Sequence, residues 1–332
     1  MAQHPRLGLA LAPGGLVLPE GRIAVFGPRA GQSLDPLPRD LTTVITPVFP
    51  DHAWFRDMGY DTALAPEGRF AAAVVILPRA KALARLRIAE AAAVTDGPVI
   101  VDGMKEDGIE SVLKDARKRA EVAGPVNKAH GKLFWFTGGD LTDWAGSEHQ
   151  MPDGFVTAAG NFSADGIDAG SAMLAAALPA HMPKRVIDLG AGWGYLSAQA
   201  LTRPGIESIE LVEADHSALD CARQNITSEA ARFHWADATT WQPRADADMV
   251  ICNPPFHTAR KADPELGRSF IRTAATALKP KGELWLVANR HLPYEPLIAE
   301  LFRQSEEIAG DTRFKVIRAT QPTRAPKRGR LG

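Results

Sequence analysis

Val186-Ile187-Asp188-Leu189-Gly190-Ala191-Gly192-Trp193-Gly194-Tyr195-Leu196 joins an apolar run to a helical pattern through three alternate glycines. A strand that passes through such a loop into a helix is the opening unit of a layered α/β sheet, and glycine there lets the backbone run close beneath a ligand. A dinucleotide fingerprint puts its third glycine three residues after the second, whereas position 195 is tyrosine. Asp188, just ahead of the loop, also sits badly beside a pyrophosphate, because two negative groups would meet in a poorly solvated place. It suits a cation. S-adenosylmethionine carries an ammonium and a sulfonium and no phosphate, so Gly190, Ala191, Gly192 and Gly194 read as its loop and Asp188 as the partner of its positive charge.

Outward from the loop, the same grammar of short apolar runs and helical periods fills the chain. On the carboxy-terminal side, strands are expected at Arg185–Leu189, Ser208–Glu213, Ala231–Trp235, Asp248–Cys252, Gly282–Ala288 and Arg313–Arg318. Helices are expected at Asp168–Leu178, Gly194–Leu201, Ser217–Asn225, Pro264–Leu278 and Glu295–Phe302. On the amino-terminal side, strands at Ile23–Phe26, Ala72–Leu77, Val99–Val101 and Leu133–Phe136 alternate with helices at Arg79–Ala93 and Gly108–Ala120. Alternation of this kind predicts mostly parallel sheets covered by helices. Two tandem doubly wound, Rossmann-like α/β domains follow, as if by duplication. The first has only Phe26-Gly27-Pro28-Arg29-Ala30-Gly31 to offer as a loop, and its proline and wide glycine spacing suit a turn. The boundaries read as a degenerate first domain over 1–140, a linker over 141–160, a catalytic domain over 161–320 and a basic tail over 321–332.

Two further acids stand where such a cofactor needs them. The second strand of the carboxy-terminal half ends in Leu211-Val212-Glu213-Ala214-Asp215, about twenty residues past the loop, where a carboxylate accepts both hydroxyls of a ribose. Glu213 is the first acid after the apolar run, and Asp215 is the alternative, or else a helix cap. Trp235-Ala236-Asp237-Ala238 follows the third strand, where Asp237 and Ala238 would meet the adenine; a plain surface turn is the competing reading.

The fourth strand, Met249-Val250-Ile251-Cys252, runs into Asn253-Pro254-Pro255-Phe256-His257. The paired prolines fix the chain and remove two backbone donors, so the Asn253 amide oxygen and the Pro254 carbonyl are both presented as acceptors. An exocyclic amine has two hydrogens to give them. Holding both turns the nitrogen lone pair out of the ring and toward a methyl donor, while Phe256 stacks on the base. Asn-Pro is also a common turn former, but here it ends the fourth strand of a domain whose first strand ends in the glycine loop.

Composition bounds the rest. At 332 residues the chain is longer than one core usually grows. Apolar residues make up 45% and charged residues 23%, and no run approaches the roughly 20 apolar residues that span a bilayer. Pro13, Gly14 and Gly15 interrupt the apolar start of the chain before a signal-peptide core is built, so a cytoplasmic protein with no membrane partner is expected. Cys221 and Cys252 are too few for a disulfide framework, and neither they nor the nine histidines show ligand spacing, so no metal is expected. A net charge of −1 does not advertise nucleic-acid binding. From Arg318 through Arg324, Lys327, Arg328 and Arg330, however, the end of the chain is basic, and reads either as a solvated tail or as a phosphate contact.

With these elements in place the sequence resembles the bacterial ribosomal RNA guanine-N2 methyltransferases of the small-subunit type and their large-subunit relatives, class I S-adenosylmethionine-dependent enzymes. The matching segments are Phe162-Ser163-Ala164-Asp165-Gly166-Ile167-Asp168-Ala169-Gly170-Ser171, Asn253-Pro254-Pro255-Phe256-His257, Val287-Ala288-Asn289 with Leu292-Pro293-Tyr294, and Thr312-Arg313-Phe314-Lys315-Val316. Looser matches, Leu77 to Lys81 and Gly103 to Ile109, lie in the first half. The resemblance implies methylation of the N2 amine of a guanine in 16S ribosomal RNA, with Phe162 and Asp165 in a segment that packs over the cofactor. It also implies a first domain that has lost its cofactor site and serves RNA docking or structure. Ribosomal RNA or a ribosomal subunit becomes the expected partner and a monomer the expected state. His257, Arg260 and Lys261 are candidates to touch RNA, with a turn or a solvated face as the alternative, as for Arg268. Competing activities are methylation of adenine N6 in DNA or of a glutamine amide in a protein, which usually end the tetrapeptide in tyrosine. A non-catalytic ribosome assembly factor is the remaining reading, and an intact Asp188, glycine loop and Asn253 argue against it.

Overall fold

The computed structural model describes residues 5–146, 149–255, 257–258, 261–262 and 264–323. They divide into two compact units, the first ending at His149 and the second beginning at Gln150. The first unit contains the helices α1 (Pro5–Ala10), α2 (Phe49–Asp57), α3 (Lys81–Val94) and α4 (Ile109–Ala116). Its strands are β1 (Ile23–Phe26), β2 (Thr42–Ile45), β3 (Asp61–Ala63), β4 (Ala72–Ile76), β5 (Val99–Met104), β6 (Val122–Lys128) and β7 (Gly131–Phe136). Two short strands, β8 (His149–Gln150) and β9 (Val156–Thr157), come next in the chain. The second unit proper then holds α5 (Ala169–Ala177), β10 (Arg185–Leu189), α6 (Tyr195–Leu201), β11 (Ser208–Glu213), α7 (His216–Asn225), β12 (Ala231–Trp235) and β13 (Ala247–Cys252). After β14 (His257–Thr258) and β15 (Lys261–Ala262) it closes with α8 (Pro264–Ala277), β16 (Leu278–Asn289), α9 (Glu295–Leu301), β17 (Phe302–Gly310) and β18 (Phe314–Pro322).

Both units carry a seven-stranded sheet of one topology: β3-β2-β1-β4-β5-β7-β6 in the first and β12-β11-β10-β13-β16-β18-β17 in the second. Six strands of each sheet run the same way and one, β7 or β18, runs against both its neighbours, so the expectation of two tandem, mostly parallel α/β domains holds. The central parallel strands β1, β4, β10 and β13 are buried on both faces, which is why they read as apolar runs, whereas the edge strands β3 and β12 are not. Burial of each such Val, Ile or Leu contributes roughly 1.5–3 kcal/mol. Helices add their apolar stripes: Phe270, Ile271, Ala274 and Ala277 of α8 recur at helical spacing and pack under β13 and β16. Strand β10 lies where the order reverses, and ligands of open α/β sheets bind beyond the carboxyl ends of the strands at that switch.

Several expectations need correction. Arg318 is not part of a basic tail: it belongs to β18, which runs on to Pro322, and its guanidinium pairs with Glu283 at 2.5 Å and Glu306 at 3.1 Å. The residues beyond it that carry the tail, 324–332, lie outside the described residues. The first unit is less regular than a doubly wound half requires, since β1 passes to β2 through turns and a single 3₁₀ turn, with no α-helix after Gly27. The helix expected up to Phe302 ends at Leu301, and Phe302 starts β17.

Candidate functional site

At the carboxyl end of the second sheet the register brings the sequence-predicted residues to one edge. Leu189 pairs with Val212 on one side and Cys252 on the other, so the next residues, Gly190, Glu213 and Asn253, emerge side by side. Gly190, Gly192 and Gly194 have φ of 75°, 55° and 90°, left-handed values that strain any residue with a side chain. A β-carbon on Gly190 would press on Phe270 at 3.0 Å and one on Gly194 on Ile226 at 2.9 Å. One on Gly192 would meet nothing within 4 Å: it faces open space. The loop is also stitched to β11, with Gly190 N and Ala191 N donating to the Val212 carbonyl at 2.9 and 3.1 Å. Ala191 itself is buried.

Asp188 is fully buried. Its Oδ2 accepts the Ser197 hydroxyl at 2.7 Å, while its Oδ1 has no hydrogen-bond partner. Burial, with the nearby Glu213 charge adding and the Ser197 bond opposing, pushes this carboxyl up to about 7. A buried acceptor without a donor is unfavourable by roughly 1–3 kcal/mol. Such an oxygen at the lip of a glycine loop fits the ammonium of S-adenosylmethionine, and the open space beside Gly192 fits its body.

Glu213 does more than the sequence indicated. Its Oε2 accepts Gly192 N and its Oε1 accepts Asp215 N, both at 2.8 Å, so it holds the loop while each oxygen keeps a lone pair for a further donor. Burial raises its carboxyl above the usual range, opposed by those N–H donors. Asp215 is the N-cap of α7, accepting Ser217 N at 2.9 Å, which places it in the helix-cap role. Asp237, half-buried after β12, accepts the Thr239 N–H and hydroxyl on Oδ1 at 2.8 and 2.7 Å, and Ala238 beside it is buried. Phe162 is 57% exposed and Asp165 is exposed, yet the Phe162 carbonyl accepts Trp193 Nε1 at 2.9 Å, which ties that segment to the glycine loop.

Asn253 is half-buried, Pro254 buried and Pro255 exposed. The Asn253 Nδ2 donates to Asp168 Oδ2 at 3.0 Å and to Ser171 Oγ at 2.8 Å. Phe256 and Arg260 lie outside the described residues; the backbones of His257 and Lys261 belong to β14 and β15, which pair antiparallel. Arg268 on α8 pairs with Glu265 at 3.3 Å.

Sequence reasoning missed the residues that brace this edge. Asn225 clamps the strap before α5, giving Nδ2 to the Val156 and Trp193 carbonyls at 2.9 and 2.8 Å and accepting Val156 N at 2.7 Å. Asn161 donates to Ser217 at 3.1 Å, and Phe155, Trp193 and Tyr195 form a ring cluster with centroids 5.1 to 5.9 Å apart. No local sequence pattern signals these contacts, since Asn225 and Asn161 bond to residues 32 to 69 positions away.

The first unit shows what the same frame looks like without these groups. Phe26 pairs with Ile45 and Val75 as Leu189 pairs with Val212 and Cys252, so Gly27, Thr46 and Ile76 correspond to Gly190, Glu213 and Asn253, and Val25 to Asp188. The buried carboxylate, the loop-binding acid and the amide are all replaced. A β-carbon on Gly27 would collide with the Arg87 guanidinium at 1.9 Å, so that side chain fills the place above the loop.

Among the described residues there is no cluster of His, Cys, Asp and Glu fit to hold a metal, and no helix long and apolar enough to cross a membrane. Residues 153–318 match the family model of the methyltransferase small domain. Ribosomal RNA large subunit methyltransferase G of Ectopseudomonas mendocina is 37% identical over 48% of this chain. The chain spans less than half the length of that relative and of its Streptomyces avermitilis namesake, 44% and 49%. Ribosomal RNA small subunit methyltransferase C of Alcanivorax borkumensis is 32% identical over 74% of this chain and 79% of its own length. A 16S rRNA N2 methyltransferase of T. thermophilus, solved with AdoMet and guanosine, superposes with a TM-score of 0.79 over 92% of this chain and 90% of its own, at 23% identity, a likeness of fold. With residues 153–318 of its second unit matched by the family model and relatives at least 30% identical covering more than two thirds of it, the chain belongs to the methyltransferase small domain family, alongside the proteins named ribosomal RNA small subunit methyltransferase C.

Proposed function

We propose that this chain methylates the exocyclic N2 amine of a guanine in 16S ribosomal RNA, using S-adenosylmethionine. One juxtaposition carries the reading: a buried carboxylate oxygen without a donor and a glycine loop open at Gly192 stand one strand away from an Asn-Pro-Pro turn. When bound, S-adenosylmethionine supplies a methyl group on a positively charged sulfur that leaves as a neutral thioether. Asp188 holds its ammonium, Glu213 its ribose hydroxyls, and Asp237 with Ala238 its adenine; Phe162 and Asp165 lie in the segment that covers it. Asn253 Oδ1 and the Pro254 carbonyl take the two amine hydrogens and aim the nitrogen lone pair at the methyl carbon, with Pro255 stiffening the turn and Phe256 stacking on the base. So held by Asn253 and Pro254, the amine nitrogen would take the methyl group as the neutral thioether departs, and would then give its extra proton to water. Catalysis is chiefly alignment, which supplies up to roughly 7–11 kcal/mol in favourable cases.

His257, Arg260 and Lys261 follow the turn and are assigned to the RNA, and the first unit to RNA docking or to support of the second. The small-subunit assignment rests on reach: relatives so named match 69% to 76% of this chain, against 48% and 52% for the large-subunit relatives. A monomeric, cytoplasmic protein without metal completes the proposal. Nucleoside mass spectrometry on the rRNA of the two subunits, from cells with and without the gene, tests it. Loss of N2-methylguanosine from small-subunit RNA is the expected result. Loss from the large subunit moves the target, and unchanged levels in both refute the activity.

A further inference from the structure

We propose that Asp168 and Ser171 are positioning residues that lock the Asn253 amide in one orientation, so that the site shows only acceptors to the reacting nitrogen and selects an amine over a bare ring nitrogen. The inference rests on the methyl-transfer reading above.

An asparagine amide has two ends of nearly equal shape and opposite polarity, and only the oxygen end can take an amine hydrogen. Here the question is decided by the neighbours. Both hydrogens on Asn253 Nδ2 are committed, one to Asp168 Oδ2 at 3.0 Å and one to Ser171 Oγ at 2.8 Å. Turning the amide over would set its oxygen against a carboxylate oxygen and forfeit a charge-assisted bond. Asp168 is not free to swing away, because the same Oδ2 accepts Ser171 N at 2.7 Å as the N-cap of α5. Ser171 is buried beside it.

Oδ1 is therefore the end left for substrate, and the prolines at 254 and 255 bring no N–H to the same face. An exocyclic amine offers hydrogens to these acceptors. A ring nitrogen with only a lone pair is repelled by them. The Asp168 charge also polarises the amide toward Oδ1, which strengthens its hold on a nitrogen that becomes positive as the methyl arrives. The contact joins residues 85 apart in the chain, which is why no local pattern disclosed it.

The test uses the full chain and rRNA from cells lacking the gene. Ser171→Ala removes one bond to Asn253 and leaves the backbone cap intact; its kcat should fall about ten-fold with cofactor Kd, KM and Tm close to wild type. In an Asn253→Ala background the same change should cost nothing further, since the group it steadies is gone. Asp168→Asn keeps the helix cap but removes the charge behind the amide, and its kcat should also fall about ten-fold with cofactor Kd close to wild type. Wild-type turnover in Ser171→Ala, or an equal loss in both backgrounds, overturns the proposal. Should the wild type itself transfer no methyl group, the function above falls, and the lock is read from the Asn253 side-chain amide in a 15N spectrum. Two dispersed, slowly exchanging protons that move in Ser171→Ala uphold it; protons at the free-asparagine position overturn it.

Discussion

Asp188→Asn should stabilise the cofactor-free protein, and by an amount that grows with pH. The carboxyl titrates near 3.8 in the unfolded chain and at about 7 in the fold, chiefly because burial disfavours its charge. A group whose pKa is raised by folding contributes its full stability below the unfolded value and loses it as pH climbs through the folded one. At about 1.4 kcal/mol per pH unit, the folded protein gives up about 4 kcal/mol between pH 3.8 and 7, of which about 3 kcal/mol falls between pH 5 and 7. Asparagine keeps the shape and the Ser197 contact and carries no charge at any pH. Urea unfolding of both proteins at pH 5 and pH 8 isolates the effect, because groups that do not interact with Asp188 cancel in the difference. The variant should gain about 3 kcal/mol on wild type from the lower pH to the higher. A difference that stays flat within about 0.5 kcal/mol refutes the reasoning: Asp188 would then be charged and satisfied in the fold. S-adenosylmethionine should bring wild type up toward the variant at pH 8 and leave the variant where it was.

Asn253→Ala should leave cofactor affinity by calorimetry nearly unchanged while methyl transfer falls on the order of a hundred-fold or more, the loss of a contact made in the transition state; survival within a few-fold removes Asn253 from the reaction. Gly192→Val should abolish cofactor binding, since a branched side chain at φ 55° both strains the loop and fills the space beside it; a normal titration displaces the pocket from this loop. Gly267→Ala should destabilise the second unit by about 1–3 kcal/mol, because its β-carbon would lie 1.9 Å from the Tyr294 hydroxyl, and Tyr294→Phe should recover part of that in thermal melts. Trp193→Phe removes the bond to the Phe162 carbonyl and should raise cofactor Kd about five-fold; an unchanged Kd would leave the strap without a part in binding.

The parts legible in the sequence were those whose cause is local. Strands β10, β11 and β12 match their expected limits residue for residue: β10 and β11 carry apolar runs buried in a parallel sheet, and β12, at the sheet edge, alternates Ala231, Phe233 and Trp235 with polar residues. Strand β17 escaped because Arg303 to Glu307 is polar and exposed on a sheet edge, where pairing to β18 and not burial makes the strand. Strand β6 escaped because Gly124-Pro125 interrupts it, which an edge strand tolerates. The same division holds at the site. Asp188, the glycines, Glu213 and the Asn-Pro-Pro turn announce themselves by their place at strand ends. Asp168, Ser171 and Asn225 act across tens of residues and Ser197 across the whole glycine loop, and only folding brings their partners within reach.

The residues at Val25, Thr46 and Ile76 have a bearing on how the polypeptide is born. An apolar side chain in the place of a buried acid spares the first sheet the pH-dependent penalty that the second bears, and its core closes on its own side chains without waiting for a small molecule. That half leaves the translating ribosome first, and domains mature in the order they emerge. The less self-sufficient half is thus synthesised while tethered to a neighbour that has already settled, so its window of exposed, half-built surface opens late and briefly.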